Sequence, residues 1–453
     1  MTSQTLSAPR KEASTPKEDS GASGTGAAIH PQYPTGADLG PRIHARGWVR
    51  HYAGLLGRRG AVASQVALER DAGRRLHRVA EAAARGAGPL TRSGRAAANH
   101  PRMRSLMAAP GGRLRWREVL SPLPPGPLAA VVRPVAVATC DLDRATMLGA
   151  TPLPLPLHFG HECVAEVMTV GDEVTSVRPG QRVVVPFQIN CGSCLACLAG
   201  HTGNCTTVPP ISMYGFGLSG GLWGGAVADQ LAVPFADAML VPLPDGIDPV
   251  AAASVADNVS DAFRHIAPHL PSLLEADPDV EVLILAGLER QPLFTPSVPL
   301  YAGLVARAMG ARQVTVVDGR APVRELADRL GLRALAPAEL HRAAAAPLTV
   351  EVSGMASGLR LALSHTAPDG ICTSAGSLHH SVRIPQLKCY GHNVTLHIGR
   401  SHARALIPGV LDLMVSGQLH PESVTTSIAS FEDAESALHD HCRANAVKTI
   451  LVA

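Results

Sequence analysis

The sequence predicts an α/β protein of two unlike halves, a β-rich half and a doubly wound parallel-sheet half, behind a largely disordered basic extension. Three observations predict this. From Met103 to about residue 250, short apolar runs are broken by Pro and Gly, the texture of many strands and turns. Beyond that point strand-like and helix-like segments alternate, which implies βαβ units and a parallel sheet. Residues 1–40 are rich in Ser, Thr, Gly and Pro, a composition that buries too little apolar surface to fold.

Within residues 60–87, "ALERDAGRRLHRVAEAAARG" has the pattern of one Ala- and Arg-rich helix. Residues 1–102 hold 16 Lys and Arg against 7 Asp and Glu, a net of +9, while the rest of the chain nets −6. The basic charge therefore belongs to the extension, and we read it as a solvated segment rather than a nucleic-acid arm. After Met103, "RSLMAAPGGRLRWREVLSPLPPGPLAAVVRPVAVATC" and "CVAEVMTVGDEVTSVRPGQRVVVP" read as strands. "AAASVADNVSDAFRHI" reads as one helix, "VEVLILAG" as a buried strand and "PLYAGLVARAMGA" as a helix. "QVTVVD" is a further strand, "APVRELADRLG" a helix, and "LTVEVSG" and "GICTSAG" are later strands. No internal repeat is present.

Composition excludes several classes. Apolar residues make up 46% of the chain, yet no run reaches the length of a membrane span. With aromatic residues at only 3%, stacking on single-stranded nucleic acid is a poor fit. No apolar signal segment opens the chain, so a cytoplasmic protein with reduced thiols is expected.

The densest chemical signal is "CGSCLACLAGHTGNC", where Cys191, Cys194, Cys197 and Cys205 have the spacing C-x2-C-x2-C-x7-C. Four thiolates so spaced can surround one tetrahedral zinc, with an iron–sulfur cluster as the main rival. Disulfides fit less well, because the nine cysteines are odd in number and the other five are scattered singly. Upstream stand "TCDLD", with Cys140 and Asp143, and "HFGHECVAEV", with His161 and Glu162. Cysteine and histidine at neighbouring strand ends can supply two ligands to a second metal.

In this order, these residues resemble the zinc-dependent medium-chain alcohol dehydrogenase family over about residues 103–453. "VGDEVTSVRPGQRVVV" and "GGLWGGAVADQLAVP" extend the resemblance. It implies a GroES-like catalytic domain over 103–255, completed by 400–453, and a Rossmann dinucleotide-binding domain over 256–399. It also implies two zincs, a structural one on the four-cysteine loop and a catalytic one on Cys140, His161 and a third ligand. Where many relatives place Cys for that ligand, "SVADNVSDAF" offers Asp257. Glu162 matches the family glutamate beside the metal that exchanges with water as a ligand, and Asp143 the aspartate that orients the histidine. The implied activity is hydride transfer between an alcohol or aldehyde and a nicotinamide cofactor. The metal polarises the carbonyl or lowers the pKa of the alcohol. By the same resemblance the partners are a small-molecule substrate and further copies of the chain, as a dimer or tetramer, with no nucleic acid and no membrane.

Two departures qualify the resemblance. Leu142 stands where most relatives carry the Ser or Thr that relays the substrate proton. The glycine-rich phosphate turn is also missing: its place falls on "TPSVPL", residues 295–300, after an inserted "LERQPLF" at 288–294. Only Gly287 and Gly303 lie near. Ser297 could donate a hydroxyl to a pyrophosphate. Asp318 would take the ribose hydroxyls and favour NAD over NADP, while Arg320 could pair with a phosphate and weaken that preference. The alternative is a family member with a degenerate cofactor loop, acting as a non-redox zinc protein or a partner subunit. A chain beginning at Met103 should fold and hold as much zinc as the full chain; thermal melting and metal analysis of both lengths check this.

Overall fold

The computed structural model describes residues 101–453 except 152, 290–291, 376–381 and 444–445. The disordered segment expected at 1–40 and the helix expected within 60–87 lie outside the described residues. The first strands are β1 (Arg102–Ala109), β2 (Arg113–Leu120), β3 (Ala130–Ala138), β4 (Leu157–His158) and β5 (Glu162–Val170). Next come β6 (Arg182–Val185), β7 (Leu231–Val233) and β8 (Val241–Pro242). The later strands are β9 (Glu281–Leu285), β10 (Gln313–Val317), β11 (Arg333–Leu335), β12 (Ala346–Glu351), β13 (Thr366–Ser374) and β14 (Thr395–Ile398). β15 (Ser427–Ser430) and β16 (Thr449–Val452) complete the set.

β9 to β14 form one sheet in the order β11-β10-β9-β12-β13-β14, and every pairing in it is parallel. Such a sheet is covered by helices on both faces, so its central strands are continuously apolar rather than alternating. Val282, Leu283, Ile284 and Leu285 of β9 are all fully buried, on two separate apolar clusters. The strand order reverses between β9 and β12, the switch point outside which ligands of open α/β sheets bind.

The other half is antiparallel. β1 pairs with β2 and β4, and a seven-stranded sheet runs β15-β16-β3-β5-β6-β8 with β7 beside β3. β16 lies antiparallel to β3, so a strand from the far end of the sequence closes the sheet. These are the β-rich and parallel-sheet halves expected from the sequence.

Two local findings differ from the expected elements. The single helix expected over "AAASVADNVSDAFRHI" is three pieces: Pro249–Ala252, a 3-10 turn Ala253–Ala256, and Asn258–Ile266. The break falls at Asp257, whose φ of −145° and ψ of −76° leave helical space. The helix after β9 spans Ser297–Ala308 and opens at the expected place. Pro299 is tolerated there because first-turn N–H groups have no partner within the helix. No described helix is long and apolar enough to cross a membrane. Truncating Leu283 to Ala at the centre of the sheet should cost about 2–5 kcal/mol, measured by denaturant unfolding.

Candidate active site

In the cysteine loop the Sγ atoms of Cys191, Cys194, Cys197 and Cys205 lie within 4.8 Å of one another. The backbone forms a compact turn, with Cys194 at the head of the short helix Leu195–Leu198 and Cys205 just past a 3-10 turn, Thr202–Asn204. The Cys194 N–H points at Cys191 Sγ (3.4 Å) and the Thr206 N–H at Cys194 Sγ (3.5 Å). Led by that Thr206 contact, hydrogen bonds bring Cys194 down to about 5, a value suited to a thiolate ligand. Burial instead pushes Cys197 up to about 12. A closed set of four sulfurs fits a structural zinc.

A second cluster assembles from three elements. Cys140 caps the helix Asp141–Met147, which follows β3 directly. The Asp143 carboxylate accepts from the Cys140 N–H at 2.8 Å and so fixes the turn that carries the thiol. His161 and Glu162 enter at the start of β5, after Gly160 with φ +84°, where a side chain would strike Val227. Asp257 arrives from the break between the 3-10 turn and its helix; its carboxylate makes no capping bond to that helix and faces the cluster instead.

One ligand atom from each of Cys140, His161, Glu162 and Asp257 lies within 4.8 Å of the others, and all four residues are buried. Asp257 Oδ2 is 3.5 Å from Cys140 Sγ and 3.3 Å from His161 Nε2. His161 Nε2 is buried and makes no aligned hydrogen bond, its near approach to Asp257 Oδ2 notwithstanding. Burial, then the charges of Asp257 and Glu162, push the Cys140 thiol well above its usual value. An unpartnered imidazole nitrogen, a thiol and two carboxylates turned on one point are a donor set that suits zinc. Phe187 and Phe216 flank the imidazole at 5.7 and 5.1 Å between ring centres and shield it from water.

Burial holds the Asp143 carboxyl above its ordinary value, with the nearby His161 and the Cys140 N–H opposing the shift. The residue that sequence reasoning missed is Lys448. Its fully buried ammonium sits 3.0 Å from Glu162 Oε2, 2.7 Å from Asn258 Oδ1 and 5.8 Å from the ring centre of Tyr301. Burial alone would lower its pKa, but Glu162, Tyr301, Asp141 and Cys140 together hold it above the ordinary lysine value. Asn258, also missed, spans the site: its Nδ2 is 3.4 Å from Cys140 Sγ and 3.1 Å from Asp257 Oδ2.

The nucleotide cleft is arranged differently from the expectation. Asp318 is fully buried and both its oxygens are engaged, Oδ1 by Arg320 Nε (2.8 Å) and Oδ2 by Arg320 Nη2 (2.6 Å) and the Gly287 N–H (3.0 Å). Arg320 Nη1 donates to the Phe294 carbonyl, so Arg320 is spent on the protein itself. Ser297 is fully buried, and its hydroxyl and N–H both meet Asp141. Pro292 and Phe294 of the insertion lie over the strand ends: a Cβ on Gly287 would fall 2.8 Å from the Pro292 ring, and one on Gly354 would overlap the Phe294 ring. As placed, Gly287, Ser297, Asp318 and Arg320 do not offer a dinucleotide the contacts expected of them.

Comparison with known proteins identifies the group to which this architecture belongs. Residues 126–245 match the alcohol dehydrogenase GroES-like domain. A medium chain reductase/dehydrogenase of Acremonium sp is 33% identical over 283 residues, 57% of this chain and 92% of the relative. The chain belongs to the zinc-type medium-chain alcohol dehydrogenase family. A probable zinc-binding alcohol dehydrogenase of Mycobacterium tuberculosis is 26% identical over 73% of this chain and 83% of its own. The solved structure of an alcohol dehydrogenase from Thermus sp. ATN1 superposes with a TM-score of 0.68 at 28% identity, covering 77% of this chain and 99% of that one. Family membership makes this chain an alcohol dehydrogenase-type oxidoreductase.

Replacing Lys448 by Met should leave the Glu162 carboxylate buried without a partner and cost about 3–5 kcal/mol in chemical unfolding. Adding Glu162→Gln to that variant should recover much of the loss.

Proposed function

We propose that this chain is a zinc-dependent oxidoreductase acting on a small alcohol or aldehyde. In this reading Cys140, His161 and Asp257 hold the catalytic metal and Glu162 is its exchangeable neighbour. Cys191, Cys194, Cys197 and Cys205 hold a structural zinc. The observation that carries the reading is the buried, unpartnered His161 Nε2 aimed into a thiol-and-carboxylate cluster. When bound there, zinc supplies Lewis-acid polarisation of a substrate oxygen.

The protein groups then have separable tasks. Asp143 fixes the Cys140 turn and Lys448 holds Glu162, so the donor atoms keep their places without metal reorganisation. Phe187 and Phe216 keep bulk water from the imidazole. Leu142 carries no hydroxyl, so the substrate proton does not pass through that position. Hydride exchange with a nicotinamide dinucleotide is the family's redox step, and Asp318 was the sequence reason to prefer NAD. In this structure the groups expected to meet the dinucleotide are hydrogen-bonded within the protein.

The second reading is a family member with a degenerate cofactor loop, a non-redox zinc protein or partner subunit, in which those internal contacts persist. The remaining assignments follow the family: a catalytic domain of 103–255 with 400–453, a Rossmann domain of 256–399, a cytoplasmic location and a homo-oligomer. Purified protein should contain about two zincs per chain, and Asp257→Ala about one, with the fold kept. Aldehyde-dependent loss of NADH or NADPH absorbance should be abolished by His161→Ala. Turnover that survives His161→Ala would reject the catalytic metal, and no turnover with any alcohol or aldehyde tried would leave the second reading in place.

A further inference from the structure

The helix Ser297–Ala308 begins at the switch point of the parallel sheet, with its N-terminus toward the crevice in which a dinucleotide's pyrophosphate would be held. That terminus already holds a carboxyl group of the protein. Asp141 Oδ1 accepts from the Ser297 N–H (3.0 Å), the Ser297 hydroxyl (2.6 Å) and the Thr295 hydroxyl (2.9 Å). Asp141 Oδ2 accepts from the Val298 N–H at 2.9 Å. The next residue, Pro299, has no N–H to give. The donors that open the helix, and the positive end of its dipole, are therefore spent on a carboxylate of the protein.

The rest of the crevice agrees with this arrangement. Asp318 is saturated by Arg320 and Gly287, and Pro292 and Phe294 of the insertion lie against the ends of β9 and β12. An anion brought to the helix terminus would find those donors already taken by Asp141. Asp141 is itself anchored at both ends. Its N–H donates to Asn258 Oδ1 (3.3 Å), and its carbonyl accepts from the Thr295 N–H (3.3 Å).

We infer that Asp141 is a built-in occupant of the phosphate seat, a specificity-determining residue that excludes nicotinamide dinucleotides until its carboxylate leaves the helix terminus. The inference rests on the oxidoreductase reading only for the identity of the excluded ligand. In this state the chain discriminates against a dinucleotide by occupied donors, not by the shape of a nucleoside pocket.

The test is a fluorescence titration of the zinc-loaded full chain with NADH, comparing wild type with Asp141→Asn, Asp141→Ser and Thr295→Val. Thermal melting and zinc content serve as controls of fold and metal loading. Freeing the helix-terminus donors should tighten NADH binding by a factor of about ten, the upper scale of an anion's interaction with a helix terminus. Thr295→Val keeps the carboxyl group but removes one hydroxyl that holds it, and should give a smaller gain in the same direction. If the Asp141 variants do not fold, the gain or its absence in Thr295→Val decides. Equal, measurable affinities across all four proteins would overturn the inference and leave the nicotinamide reading standing. No binding by any folded variant up to millimolar NADH would overturn both.

Discussion

A single buried cation sits at the meeting point of the two halves of this protein. The Lys448 ammonium touches Glu162 at the head of β5 and Asn258 at the head of its helix, and lies beside the Tyr301 ring on the helix that follows β9. Around it are Cys140, Asp141, Asp143, Glu162 and Asp257, a concentration of acidic groups that burial alone makes expensive. Without a positive charge among them, these groups would repel one another and drive the halves apart. With it, three elements distant in sequence are drawn to one point, and Cys140, His161, Glu162 and Asp257 fall into mutual reach. That cluster and the helix terminus thus share one electrostatic support.

Much of the fold was legible because its signals are local. The change from broken strands to alternating strands and helices marks the two halves. Apolar runs such as "VEVLIL" report burial on both faces of a parallel sheet. The cysteine loop was legible for the same reason, since its four sulfurs, which the fold gathers to within 4.8 Å, fall within fifteen residues. Cys140, His161 and Glu162 were found through resemblance. Asp257 was found as an oxygen where relatives carry sulfur, and its break in the helix became visible only in three dimensions.

What could not be read was pairing over distance. Asp141 and Asp143 are neighbours of one type in "TCDLD", yet one secures the turn of Cys140 while the other reaches a helix 156 residues away. No periodicity distinguishes them. Lys448 meets Glu162 across 286 residues and has no motif around it. Asp318 and Arg320 were read separately, each toward a ligand; the ion pair between them, two residues apart on a turn, was not foreseen. Sequence reasoning assigns polar groups to ligands when it cannot see a partner within the protein, and buried polar groups find one first.

The antiparallel sheet carries a further consequence through β16. The Thr449 N–H reaches the Thr139 hydroxyl across 310 residues, and Ile450, Leu451 and Val452 pair with Ala138, Val137 and Ala136. As the chain emerges from the ribosome, this edge of β3 has no neighbour until the entire parallel-sheet half has been made. An apolar strand with open backbone groups invites pairing with other chains throughout that interval. Production of this protein should therefore be sensitive to elongation speed and to the supply of chaperones that cover nascent strands.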